Sequence, residues 1–285
     1  MQETTRIDPR SLSVAHYLRP DLIPRTLWRH WELIAQLVRR ALAARYRGSL
    51  LGIFWSFLLP LVTLVVYTFV FSVVFRARWG TSADTSKTHF ALTLFCGLLL
   101  YNVFAETLTG ATGTITGNVS YVKRVVFPLE VLPVVTLATA LVNGLISLVI
   151  LLVGMLVCRQ PIPLTLLYFP LAVVPLALLC LGLGWFLASV GVYLRDTGPV
   201  VGVVLQMLIF LTPIFYPIGA VPPAFQTIMR MNPLTIVVEN ARLTIIQGQP
   251  PEWAWLIAST VLGLVLMQLG YAWFMKTKRG FADVL

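Results

Sequence analysis

Charge is what this chain has least of. Only 11% of its 285 residues are charged, against about 25% in a soluble globular domain. That deficit excludes an ordinary soluble enzyme, and the 58% hydrophobic content excludes a disordered tail. Acidic residues are the scarcest, with 11 Asp and Glu against 21 Lys and Arg and a net charge of +10. This excess does not mark a nucleic-acid binder, because the basic residues bunch between long uncharged runs instead of covering a surface. Bunching of this kind orients membrane helices. Cysteine is rare too: Cys96, Cys158 and Cys180 lie in or beside apolar runs without a CxxC pair, which argues for buried apolar packing over a disulfide framework or zinc site. His16, His30 and His89 are scattered, with no HExxH spacing, so neither a metal nor a catalytic acid–base pair is expected. No GxxxxGK[ST] phosphate loop occurs. The arginine-rich start has no apolar core of the signal-peptide kind, so no cleavable signal is expected.

Long apolar stretches are what the chain does have. Crossing about 30 Å of hydrocarbon takes about 20 residues of helix. Charge-free runs at 48–75, 131–158, 160–194, 197–229 and 253–275 each reach that length, and 90–122 is broken only by Glu106. An all-α integral membrane protein with six transmembrane helices in 48–285 is therefore expected, its termini on one side. Fifteen of the 21 basic residues fall on that side, nine of them arginines before Ser49. The positive-inside rule makes it the cytoplasm.

Residues 1–25 read as a cytoplasmic extension and 26–47 as an amphipathic interfacial helix. At 100° per residue Leu27, Trp31, Ile34, Val38, Ala41 and Leu42 share one arc, with Arg29, Glu32, Gln36, Arg39, Arg40 and Arg47 opposite. Such a helix suits the headgroup plane; packing on a soluble partner is the plainer alternative. Arg45 falls on the apolar face, where it either snorkels or meets a partner. Between the fifth and sixth spans, Pro223 and the pair Asn232-Pro233 open two helices too short to cross, and Gly248 ends the second. An outer re-entrant hairpin over 222–247 is expected; resting on the outer surface is the simpler alternative.

Glu106 is the one ionisable residue deep in a span, a placement that costs a few kcal/mol. It either faces a polar pathway or subunit interface, or reaches the headgroups on a tilted helix. Aromatics crowd the first and fifth spans, among them Phe54, Trp55, Tyr67, Phe210 and Tyr216. Contact with lipid is the ordinary role of such residues; a sugar conduit is the alternative, since rings offer apolar faces and Tyr and Trp tips offer hydrogen bonds. The pairs Gly48/Gly52, Gly113/Gly117 and Gly198/Gly202 have the spacing of close helix contacts.

Four ordered motifs are more specific: RYRGSLLGIFWSFLLPL at 45–61, GNVSYVKRVVFPLEVLP at 117–133, YLRDTGPVVGVVLQMLIFLTPIFYPI at 193–218 and MNPLTIVVENAR at 231–242. Together they resemble type-2 ABC exporter permeases of the polysaccharide and polyol-phosphate export family, the Wzm-like O-antigen permeases and their teichoic-acid relatives. The resemblance implies a homodimer joined to two copies of a separate nucleotide-binding ATPase subunit. ATP and magnesium would bind that partner; this chain would hold no cofactor and catalyse nothing itself. It implies a coupling loop at 118–130, with Tyr121, Lys123, Arg124, Phe127 and Glu130 as ATPase contacts, helped by the turn at Arg195 and Asp196. It further implies a channel lined by Phe54, Trp55, Tyr67, Glu106, Phe210 and Tyr216, and periplasmic gate helices marked by Pro223, Asn232 and Pro233. The cargo would be a lipid-linked glycan of O-antigen type crossing the bacterial inner membrane. Capsule or teichoic-acid export, or drug and small-lipid export, are the alternatives. A membrane enzyme would need an acidic or histidine cluster, and a secondary transporter would show repeats; neither is seen in the sequence.

Overall fold

The computed structural model describes residues 17–46, 52–74, 87–123 and 127–285. Among them every regular element is helical. Leu22–Arg29 (α1) and Trp31–Tyr46 (α2) lead to Trp55–Thr68 (α3), which runs on through a π-helical stretch, Phe69–Val74. Lys87–Gly113 (α4), the short Val119–Val122 (α5), Val131–Val157 (α6) and Phe169–Tyr193 (α7) follow. Thr197–Leu211 (α8), Pro223–Met231 (α9), Pro233–Ile245 (α10), Trp253–Thr277 (α11) and Phe281–Val284 (α12) complete the order.

Among the described residues, four helices are long and apolar enough to cross a membrane: α4, α6, α7 and α11, the last two counted with their short flanking turns. The apolar helices α3 and α8 are shorter, 14 and 15 residues, or about 21 and 22 Å at 1.5 Å per residue. The charge-free run at 197–229 is thus not one helix. Thr212 precedes Pro213, whose ring drives the preceding residue out of the α region, and Thr212 is extended at φ −102°, ψ 135°. The amphipathic N-terminal segment is also divided, at His30. Ile23 of α1 packs into the main core, while Ile34 of α2 packs with Val131 and Val135 of α6, so each half serves a different surface. Trp28 and Trp31 point away from both and are exposed.

The closest helix contact is between α7 and α11. A Cβ on Gly270 would lie 2.0 Å from the Gly182 carbonyl oxygen, and one on Gly182 would lie 2.5 Å from Leu266 backbone. The glycine pairs singled out by spacing do not work this way. A Cβ on Gly52, Gly113, Gly117 or Gly202 would meet nothing within 4 Å outside its own helix and chain neighbours among the described residues, and one on Gly198 only an ordinary contact; Gly48 lies outside the described residues. Cys96 and Cys180 are buried as expected, and Cys158 is half-buried.

The two ends of the described chain meet. Arg279 donates to the Tyr17 hydroxyl at 3.0 Å, and Gln268 Nε2 to the Tyr17 carbonyl at 2.8 Å. Beside them Tyr193 donates to the Thr277 carbonyl at 2.9 Å. With Lys278 paired to Glu130 just before α6, the start of α6, the end of α7 and the end of α11 share one end of the bundle.

Candidate functional site

Three helices carry polar or small residues at helical spacing: Ser56, Pro60 and Thr63 on α3, Asn102, Glu106 and Thr109 on α4, and Ala140, Asn143 and Ser147 on α6. Steps of three and four residues put each set on one helix face. The three faces line an open cleft of about 740 Å³, with Trp55 at its edge. Glu106 is among its lining residues. Its Oε1 accepts from Asn143 Nδ2 at 2.8 Å and from Arg45 Nη1 of α2. Arg45, the misfit on the apolar face, thus meets a partner within its own chain. The Asn143 Oδ1 is buried with no partner among the described residues, an acceptor in want of a donor. A second hollow of about 370 Å³ shares Glu106 and Gly110 with the cleft and runs on to Arg40, Asn118 and Tyr121.

Five of the six channel residues expected from the sequence fall into two groups. Trp55 and Glu106 share the cleft. Tyr67, Phe210 and Tyr216 gather around Phe215: Tyr67 meets its ring edge-on at 5.2 Å, Phe210 lies 5.5 Å from it, and the Tyr216 hydroxyl donates to the Phe210 carbonyl. Phe215 itself is buried. Phe210 also faces an open groove beside Gln206 and Met207. Phe54 stands exposed just before α3.

At the end where α4 leads into α5, Tyr121 stacks on Phe127 with centroids 4.3 Å apart and planes 8° from parallel. Arg40 of α2 donates to the Tyr121 hydroxyl at 3.2 Å. Lys123 is exposed; Arg124 lies outside the described residues. Glu130 is turned inward, only 8% exposed. Its carboxylate takes Lys278 Nζ at 2.7 Å and its carbonyl takes the Trp185 indole N–H at 2.9 Å. Arg195 and Asp196 are exposed in the turn from α7 to α8. That turn lies beside the end of α4, because a Cβ on Gly191 would come within 2.1 Å of the Thr112 carbonyl oxygen.

At the far end, α9 and α10 form the two short helices expected. Asn232 caps α10, its side chain accepting from Leu234 N–H at 3.0 Å, and Pro233 is the first helical residue. Pro223 is likewise the first helical residue of α9, there without a side-chain cap. Gly248 follows α10 with φ +67°, a conformation that suits glycine. What anchors α10 is a basic residue within the fourth sequence motif. Arg242 of α10 is 0% exposed. It donates to the carbonyls of Pro213 at 2.6 Å, Ile214 at 2.9 Å and Thr93 at 3.3 Å, and pairs with Glu239 at 2.8 Å. Burial pulls its pKa down from the usual arginine value, and the Glu239 carboxylate opposes that shift. Gly97 of α4 makes the room, since a Cβ there would lie 2.8 Å from Arg242 Nη2.

A family model described as ABC-2 type transporter matches residues 32–246. The chain is 30% identical over 262 residues to the O-antigen export system permease protein RfbA of Myxococcus xanthus, covering 91% of this chain and 97% of that protein. It is 23% identical over 256 residues to the protein of the same name from Klebsiella pneumoniae, covering 90% and 95%. Against the polysialic acid transport protein KpsM of Escherichia coli it is 25% identical over 244 residues, covering 84% and 91%. The family match takes in the cleft, the α5 loop and the α9–α10 pair.

Proposed function

Because the chain belongs to the ABC-2 type transporter family, we propose that it is the permease subunit of an ATP-driven exporter of lipid-linked polysaccharide of O-antigen type. The observation that carries this reading is the polar path from the α5 loop through Glu106 into the cleft, in a chain similar over nearly its whole length to an O-antigen export permease. In this reading α3, α4, α6, α7, α8 and α11 are six spans in the bacterial inner membrane. Both termini are cytoplasmic, which the contact of Tyr17 with Arg279 supports. The α9–α10 pair is the outer hairpin and acts at the exit.

Two such chains pair, and two copies of a separate ATPase subunit bind and hydrolyse ATP with magnesium. Tyr121, Lys123, Arg124 and Phe127, with Arg195 and Asp196, form the contact face for that partner; Glu130 braces the loop from behind through Lys278. The route from contact to cleft is short. A push on the loop reaches α2 through Arg40 and Tyr121, and α2 reaches the cleft through Arg45 and Glu106. Nucleotide held more tightly in one conformation of the pair supplies the free energy. In the cleft the unpaired Asn143 oxygen and the hydroxyls of Ser56, Thr63 and Ser147 suit sugar hydroxyls, and the Trp55 ring offers an apolar face.

The test is complementation of a bacterium lacking its own permease gene, supplied with this chain and its ATPase. Restored long-chain surface glycan is expected. A chain that inserts and binds the ATPase yet restores no glycan would overturn the reading. Capsule export is the second reading, favoured by the similarity to KpsM; it would return capsule and not O antigen in a strain able to make both.

A further inference from the structure

We infer that the end of the bundle carrying α9 and α10 holds a binding pocket for one neutral glycosyl unit, separate from the cleft. The pocket lies between α10 and the start of α11 and has a volume of about 110 Å³, several times the ~10–15 Å³ that one water needs. Trp255, 44% exposed, forms one side. Thr235 and Glu239 of α10, Arg230 of α9 and Glu252 before α11 supply polar lining. Thr235 is only 2% exposed, and its hydroxyl has no partner among the described residues. Buried hydroxyls are nearly always satisfied, so this one points to a ligand that completes it. The site is also braced. Asn240 Nδ2 donates to the Ile236 carbonyl at 2.9 Å, and its Oδ1 accepts from Glu252 N–H at 2.7 Å, which holds the start of α11 against α10.

Charge selects the class of ligand. The carboxylates of Glu239 and Glu252 are offset by the guanidinium groups of Arg230, in the lining, and Arg242, 2.8 Å from Glu239. No net charge is left to attract a divalent cation or an anion. An indole face for the C–H side of a pyranose, carboxylates to accept from hydroxyls, and a hydroxyl that both donates and accepts together match a sugar ring. The choice of glycan over another neutral polar ligand rests on the exporter reading, which makes this the end where polymer leaves.

The test uses the full chain in lipid nanodiscs with the methyl glycosides of glucose, galactose, mannose and N-acetylglucosamine, read by saturation-transfer NMR and tryptophan fluorescence. At least one glycoside is expected to bind. Thr235→Val should weaken it by about three- to ten-fold, the loss of one hydrogen bond, and Trp255→Leu should weaken it at least as much. Because the Thr235 hydroxyl bonds nothing among the described residues, Thr235→Val should melt at or above the wild-type temperature. Absence of binding by all four glycosides, binding insensitive to both substitutions, or displacement of the glycoside by calcium would each overturn the pocket. Complementation separates this from the exporter reading. Restored glycan without glycoside binding overturns the pocket alone, and glycoside binding without restored glycan overturns the exporter alone.

Discussion

Replacing Glu106 with alanine strips two donors of their acceptor, Arg45 Nη1 and Asn143 Nδ2. Exposed ion pairs are worth about 0–1 kcal/mol, whereas removing one partner of a buried pair costs about 3–5 kcal/mol. Arg45 and Glu106 are 46% and 30% exposed, so solvent screens them and a value of roughly 1–2 kcal/mol suits the pair. The Asn143 bond adds about 1 kcal/mol. Glu106→Ala should therefore cost roughly 2–3 kcal/mol, and a chain of this size loses about 2–4 °C in Tm per kcal/mol. Glu106→Gln keeps an acceptor for Asn143 and should cost about half as much. Arg45→Met should cost roughly 1–2 kcal/mol, and Arg45→Met with Glu106→Met clearly less than the two singles together, with a coupling of about 1 kcal/mol. The assay is thermal stability of each purified variant by size-exclusion chromatography after heating. Strictly additive losses in the cycle would refute the pairing, and a fully stable Glu106→Ala would refute its packing role altogether.

Arg242→Met should be the most damaging single change at the far end, about 3–5 kcal/mol, because it leaves three carbonyls and Glu239 without their donor; the same heating assay reads it. Trp55→Leu should lower surface glycan while Phe54→Leu leaves it unchanged, since Trp55 lines the cleft; equal effects by glycan immunoblot would count against the conduit. Charge reversal of Lys123 and Arg195 together should reduce co-purification of the ATPase subunit without affecting membrane insertion, and wild-type yield of the pair would speak against that contact face. Cysteine at the exposed Gln249 should label from outside the cell, and cysteine at Arg195 only after the inner face is opened; the reverse pattern would invert the topology.

Helix positions in the long apolar stretches are written plainly in the sequence, because hydrophobic length is a local property. Val131–Val157 and Trp253–Thr277 match their charge-free runs to within two residues. The Asn232-Pro233 start is equally local and was recoverable from capping chemistry. Contacts between distant segments were not. Arg45 announced itself as a misfit, but nothing local names Glu106, 61 residues away, as its partner. Asn143, the sole side-chain amide within 131–158, is a local signal for a polar contact in an apolar helix. Nothing local marks Arg242 as buried, because the space that receives it is created by Gly97 on another helix. Spacing alone likewise does not say which glycines meet another helix of the same chain, since close approach depends on which face meets a neighbour; Gly182 and Gly270 do so. The sequence groups Phe54, Trp55, Tyr67, Phe210 and Tyr216 together but does not divide Trp55 from the cluster around Phe215.

Arg242 also limits how the far end of the molecule can open. Drawing α10 away from Pro213 and Ile214 would strand a guanidinium in a dry interior, at a cost of several kcal/mol. The second helix of the hairpin is therefore a strut, fastened at once to the turn after α8 and to the start of α4. Among the described residues α9 has no such buried charge to fasten it: Phe225, Ile228 and Met231 lie on it 59%, 66% and 73% exposed. Any widening at this end must either swing that one short helix about the bend at Asn232, or carry α10, the 213–214 segment and the top of α4 outward as a single piece.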